Sequence, residues 1–196
     1  MPALPVVSEL TPKQQARRQG IIDVAIEMAT EGGYEAVQMR DVAARADVAL
    51  GTLYRYFSSK DQLLGACWAE WTQQLENRIS RRPLKGETPS DRIVDFFARA
   101  NRAVERSGKL TSALIMSMAS ADPATIEPQS EVASLMTRVV LEELEGLEPE
   151  IQRRIREALG HVWYSVLVNW VNGRLPMRRV NRALESATRL IIDPHV

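Results

Sequence analysis

Helix-breaking residues divide this chain into a run of segments, and inside each segment the apolar residues recur with a period near 3.6. The breaks fall at Gly32-Gly33, Pro83, Ser107-Gly108, Asp122-Pro123, Gly146 and Asn172-Gly173. Proline removes a backbone donor and glycine leaves a helix without a Cβ penalty, so both residue types end helices. No stretch alternates apolar and polar residues as a half-buried strand does. An all-α chain is expected.

The first helix is expected over about 12–31, with Ile21, Ala25, Met28 and Ala29 on one face. Two short helices, about 39–46 and 50–56, follow around the turn Asp47-Val48-Ala49. Ser59 and Gln62 have the spacing of a capping box, in which the serine caps and the glutamine reaches back; a fourth helix should start there and reach about Arg82. Thr88-Pro89-Ser90-Asp91 opens a fifth: threonine caps, proline loses nothing at the first helical position, and aspartate complements the dipole. A sixth is expected over about 109–121, and a seventh carries Val132, Leu135, Met136 and Val139. The last two present the strongest apolar stripes, Ile151, Ile155, Leu159, Val162, Val166 and Trp170, then Val180, Leu184, Ala187 and Ile191.

Composition narrows the function classes. With 45% hydrophobic and 26% charged residues the chain can bury a core, unlike a disordered one. The single cysteine, Cys67, cannot form an intramolecular disulfide. His161 and His195 are isolated from any ligand partner, so no metal site is expected, and no cofactor loop or catalytic constellation appears; the chain is not read as an enzyme. MPALPVVSEL has no basic n-region and no apolar run approaches a membrane span, so a cytoplasmic location without membrane contact is expected. Formal net charge is zero, and residues 1–62 carry seven basic side chains against eight acidic. Any binding to nucleic acid must rest on local geometry.

Two short helices around a three-residue turn are the smallest device that puts a helix into a DNA major groove. Met39, Val42, Ala43 and Ala46 give the first an inner face, Val48 plugs the turn, and Leu53 with Phe57 anchors the second. The outward set is then Arg40, Gly51, Thr52, Tyr54, Arg55 and Tyr56, where glycine permits close approach and hydroxyls or guanidinium donate to phosphates or base edges. An ordinary polar helix face is the plain alternative.

Residues 31–64, EGGYEAVQMRDVAARADVALGTLYRYFSSKDQLL, resemble the signature of TetR-family repressors. The resemblance implies about nine helices, with a DNA-binding head at 1–57 (helix-turn-helix about 38–57) on a body at 58–196 that binds an effector and dimerises. It makes Tyr54, Tyr56 and Lys60 phosphate contacts, and leaves Arg40, Gly51, Thr52 and Arg55 as candidates for base edges. Leu50 would be buried by periodicity; the resemblance exposes it, where it could touch a thymine methyl, and exposure is expected. Asp47 stands where the family usually has glycine, a position aspartate tolerates. Gln38 replaces the usual threonine cap, at a cost of about 1 kcal/mol and with a phosphate contact in question. Arg17 and Arg18, toward the chain start, form an arm that either reaches phosphates and the minor groove or is simply solvated.

A repressor without a separate sensor needs its own cavity. Trp68, Trp71, Leu75, Phe96, Phe97, Met116, Met118, Met136, Val139, Trp163 and Leu167 are the candidate lining, although such residues at helical spacing also make ordinary core. Within the family the motif is similar to that of actinobacterial repressors of cholesterol catabolism. That implies a sterol-derived effector or coenzyme A thioester and genes of lipid or steroid breakdown; an acyl-CoA fits as well. Ile155, Leu159, Val162, Val166, Trp170, Val180, Leu184, Ala187 and Ile191 are expected to pair two subunits on an inverted-repeat operator. The alternative is a helical small-molecule binding protein without specific DNA recognition.

Overall fold

Thr11 starts the first helix. Its Oγ1 accepts from Gln14 N at 3.4 Å while Gln14 Oε1 accepts from Thr11 N at 2.8 Å, a reciprocal cap that satisfies two amides. A computed structural model of the chain describes residues 10–119 and 138–196. Among them are nine α-helical segments: α1 (Pro12–Gly32), α2 (Met39–Arg45), α3 (Leu50–Tyr56), α4 (Lys60–Ile79), α5 (Pro89–Arg106), α6 (Gly108–Ser117), α7 (138–143), α8 (Pro149–Val171) and α9 (Met177–Ile192). None of the described helices is long and apolar enough to cross a membrane.

The expected breaks within the described residues hold for physical reasons, while Asp122-Pro123 lies outside them. Gly33 ends α1 at φ 73°, which a Cβ would make costly. Gln62 N donates to Ser59 Oγ at 3.1 Å as the pattern predicts, but Gln62 Oε1 reaches one residue further, accepting from Ser58 N at 2.6 Å. At α5 the cap forms as expected: Asp91 N donates to Thr88 Oγ1 at 3.1 Å and Thr88 N to Asp91 Oδ2 at 3.2 Å. Val132, Leu135 and Met136 lie outside the described residues.

The chain folds as two compact units. The first comprises residues 10–70 and 107–119, the second 71–106 and 138–196, so the division falls inside α4 and after α5. In the first unit α6 packs against α1, which gives the three N-terminal helices a partner from later in the chain. Ile21, Ala25 and Ala29 of α1 bury completely, as do Leu53, Leu63 and Leu64. Burial of each large apolar side chain contributes about 1.5–3 kcal/mol. In the second unit α9 packs against both α5 and α8, and Ile93, Phe96, Leu159, Val180 and Ile192 form its core.

Candidate nucleic-acid interface

Three contacts fix the pair α2 and α3. Arg45 on α2 clamps α1 through Glu31 at 2.9 Å and Glu27 at 3.1 Å, all exposed, so the clamp orients more than it stabilises. Val42 and Ala43 of α2 are buried. Asp47 takes the left-handed conformation, φ 52°, where the family usually has glycine, and Val48 N donates to Ala43 O at 3.0 Å to close the turn.

α3 is seven residues long and two-sided. Leu53 faces inward beside Tyr56, with Phe57 buried just beyond the helix end. Leu50, Gly51, Tyr54 and Arg55 face outward, Leu50 at 40% and Tyr54 at 46% exposure; Thr52 is half-buried at their margin. Those four residues stand at i, i+1, i+4 and i+5, a single helical face. A Cβ built on Gly51 meets nothing within 4 Å, so the packing of this chain does not require glycine there.

Arg40, in the first turn of α2, is also exposed. Gln38 precedes that helix without capping it; its Nε2 turns back to Glu35 O at 2.9 Å. Lys60 opens α4, with its Nζ 3.6 Å from the centroid of the Tyr34 ring. Tyr34 Oη donates to Asp61 Oδ1 at 2.8 Å. Burial, then the Asp61 carboxylate, pushes the Tyr34 hydroxyl up to about 12. Burial also lowers the Lys60 ammonium from its ordinary value. The sequence reading missed Tyr34, and no local pattern marks it, because its partners lie 26 and 27 residues away.

Two expectations need correction here. Tyr56 is not outward: it is 6% exposed, and its hydroxyl is buried without a hydrogen-bond partner among the described residues. Position 56 lies one turn from Leu53, on the inner face of α3. Arg17 and Arg18 do not form an arm, since both lie inside α1; Arg17 is exposed, while the Arg18 guanidinium lies 5.1 Å above the Phe57 ring.

The residues expected to bind an effector divide between the units. In the second, Phe97 meets Trp163 edge-on at 5.3 Å and Phe96 meets it at 6.2 Å. Trp163 Nε1 donates to Asn101 Oδ1 at 2.9 Å, and Asn101 Nδ2 donates to Asn181 Oδ1 at 2.7 Å. Leu75 and Leu167 are buried, and Trp71 and Val139 half-buried. In the first unit Trp68 is buried and Met118 half-buried, whereas Met116 is 48% exposed and lines no interior. Met136 lies outside the described residues.

The expected subunit-pairing stripe is also corrected in part. Ile155, Leu159, Val180 and Leu184 are at most 2% exposed, so they belong to the core of the second unit. The reason is the width of an amphipathic face, whose centre fills the interior first. Val162, Val166, Trp170, Ala187 and Ile191 remain partly exposed at its margin. Leu190, which the periodicity did not single out, is 78% exposed.

An α2 anchored through Val42 and Ala43, a two-sided α3 with one outward face and a closed turn between them define a helix-turn-helix protein. Residues 21–67 match the family model for bacterial regulatory proteins of the tetR family, and residues 86–191 match the tetracyclin repressor-like C-terminal domain. Over 180 residues the chain is 38% identical to the HTH-type transcriptional repressor KstR of Mycolicibacterium smegmatis, covering 91% of this chain and 88% of that protein. It is 37% identical to the KstR of Mycobacterium tuberculosis, covering 91% and 82%. The crystal structure of a TetR transcriptional regulator from Rhodococcus sp. RHA1 superposes with a TM-score of 0.83 at 29% identity, covering 94% of this chain and all of that one. The chain belongs to the TetR family of helix-turn-helix transcriptional repressors, which are regulators and not enzymes.

Proposed function

We propose that this repressor acts as a homodimer in the cytoplasm, binds an inverted-repeat operator through α3, and is released by a hydrophobic effector. The supporting observation is the two-sided α3: Leu53 and Tyr56 hold it from within while Leu50, Gly51, Tyr54 and Arg55 form one exposed face. Tyr54 and Lys60 contact phosphates, and Arg55, Gly51 and Leu50 meet base edges. Two copies related by a two-fold axis read half-sites whose centres lie about 34 Å or somewhat further apart.

The effector carries a large apolar group, as a sterol-derived compound, its CoA thioester or an acyl-CoA does. The aromatic group Phe96, Phe97 and Trp163 suits such a ligand. The similarity to the KstR repressors and the resemblance of the head to repressors of cholesterol catabolism favour genes of lipid or steroid breakdown as targets. The functional division then runs between a DNA-binding head at 1–57 and an effector-binding, dimerising body at 58–196.

Binding to the palindromic fragments beside the protein's own gene tests this reading. Tyr54→Ala and Lys60→Ala are expected to weaken binding on all duplexes, and Arg55→Ala also to relax base preference by about 1–3 kcal/mol. A sterol-derived or acyl-CoA thioester should lower operator affinity. Wild-type affinity in all three variants would end the proposal for α3; indifference to both thioester classes would end it for the effector.

A further inference from the structure

The second unit distributes its positive charge unevenly. Of its sixteen described arginines seven pair with carboxylates, as Arg92 pairs with Glu143, Arg99 with Asp95 and Arg189 with Asp91. Nine do not: Arg78 at the end of α4 with Arg81 and Arg82 just beyond it, and six more, Arg102 and Arg106 on α5, Arg174 after α8, and Arg178, Arg179 and Arg182 on α9. All six are exposed, and among the described residues none forms an ion pair.

These six gather at one end of the unit. α5 and α9 run antiparallel, since Asp91 meets Arg189 at 2.9 Å and Asn101 meets Asn181 at 2.7 Å. That pairing brings the C-terminal end of α5 to the N-terminal end of α9. Across residues 101–106 and 172–184 the acidic side chains number one, Glu105. The placement is unfavourable for the chain alone: Arg178 and Arg179 occupy the first turn of α9, which holds no acidic residue, and a cation there works against the helix dipole by about 0.3–1 kcal/mol. Arg78, in the last turn of α4, sits where the dipole favours it. A polyanion opposite the six guanidinium groups reverses the sign of the whole arrangement.

We infer that this arginine end is a sequence-independent binding surface for the phosphate backbone of duplex DNA. Duplex is the polyanion on which a helix-turn-helix repressor works, and the charge of the first unit leaves it little surplus to offer phosphates. Its described residues carry eight basic and eight acidic side chains, and of the basic ones Arg45 is held by Glu27 and Glu31 and Arg18 lies over Phe57. Sequence-independent affinity comes from phosphates neutralised by cations. A neutral unit supplies little of it, and the six arginines supply the remainder through planar forks that match phosphate oxygens.

The test uses the full chain with Arg178→Gln, Arg179→Gln and Arg182→Gln combined, changes to exposed residues that relieve dipole repulsion and leave the thermal midpoint unchanged or higher. Fluorescence anisotropy on a random-sequence duplex several helical turns long is followed across salt concentration. The slope of log K against log salt is expected to fall by about 2.7, at about 0.9 per lost phosphate contact. Adding Arg102→Gln and Arg106→Gln should lower it further. An unchanged slope overturns the inference. So does an arginine-dependent loss confined to vesicles of phosphatidylglycerol and phosphatidylcholine, with the duplex unaffected. The α3 reading fails separately: Arg55→Ala is scored on the operator alone, and its silence there would leave the slope result intact.

Discussion

Lys60 rests its ammonium 3.6 Å from the centroid of the Tyr34 ring, and the same ring's hydroxyl donates to Asp61, the next residue along α4. One aromatic side chain from the α1–α2 connection thus holds the first turn of α4 by two different interactions. The cation–π contact restrains the Lys60 side chain against the Tyr34 ring.

Replacing Tyr34 separates these roles. A cation–π contact of about 0.5–1 kcal/mol at a partly exposed site corresponds to roughly two- to fivefold in affinity. Tyr34→Leu should therefore weaken duplex binding by that factor, whereas Tyr34→Phe, which keeps the ring, should bind as wild type. Equal binding by all three proteins would show that Lys60 needs no support.

Tyr34 also sets an alkaline limit. Its hydroxyl is raised from 10.0 to about 12 by burial, then by the Asp61 hydrogen bond and charge. The folded value exceeds the unfolded one, so the contribution is complete below pH 10 and is lost as pH rises toward 12. Denaturant titrations through that window should show Tyr34→Phe losing less stability than wild type. Parallel losses would mean the hydroxyl ionises as freely as in the unfolded chain.

Gly51→Ala should split stability from binding. With nothing within 4 Å of an added Cβ, alanine gains about 0.5–1 kcal/mol of helix stability and raises the melting temperature. If α3 approaches bases as closely as proposed, the same methyl lowers operator affinity. A more stable variant with unchanged affinity would move Gly51 out of the interface.

Tyr56→Phe removes a buried hydroxyl that has no partner among the described residues. The expected result is a gain of about 1 kcal/mol, which for a chain of this size is about 2–4 °C in Tm. Operator affinity should be unchanged, because the hydroxyl does not reach the surface. A clear loss of affinity would mean that α3 turns Tyr56 outward on DNA, as the family resemblance implies.

The two faces of α9 predict two different phenotypes. Leu190, 78% exposed, should matter only between subunits, so Leu190→Glu is expected to yield folded monomers in sedimentation. Leu184, 1% exposed, should matter within one subunit: Leu184→Ala is expected to cost about 2–5 kcal/mol of stability. A dimeric Leu190→Glu protein would place the pairing surface elsewhere.

Much of this molecule was legible along the chain. Caps and breakers act within three or four residues, so Thr88 and Asp91 at α5 and Gly33 after α1 could be anticipated from local chemistry alone, whereas the left-handed Asp47 followed from the family resemblance. Helical spacing also makes neighbours of Leu50 and Tyr54 on α3, but periodicity alone would bury Leu50, and it is the family resemblance that puts it outside. What periodicity does not contain is the identity of the partner across a face. The stripe that holds Leu159 and Leu184 reads as a pairing surface between subunits, yet their own subunit covers both, and Tyr56 reads as outward on α3, yet it is buried. Pairings such as Tyr34 with Lys60, or Asn101 with Trp163 and Asn181, join residues 26 to 80 positions apart. Only the packed chain settles these, since burial and hydrogen bonding depend on which helices meet, and that is decided by the competition of all faces for a limited interior.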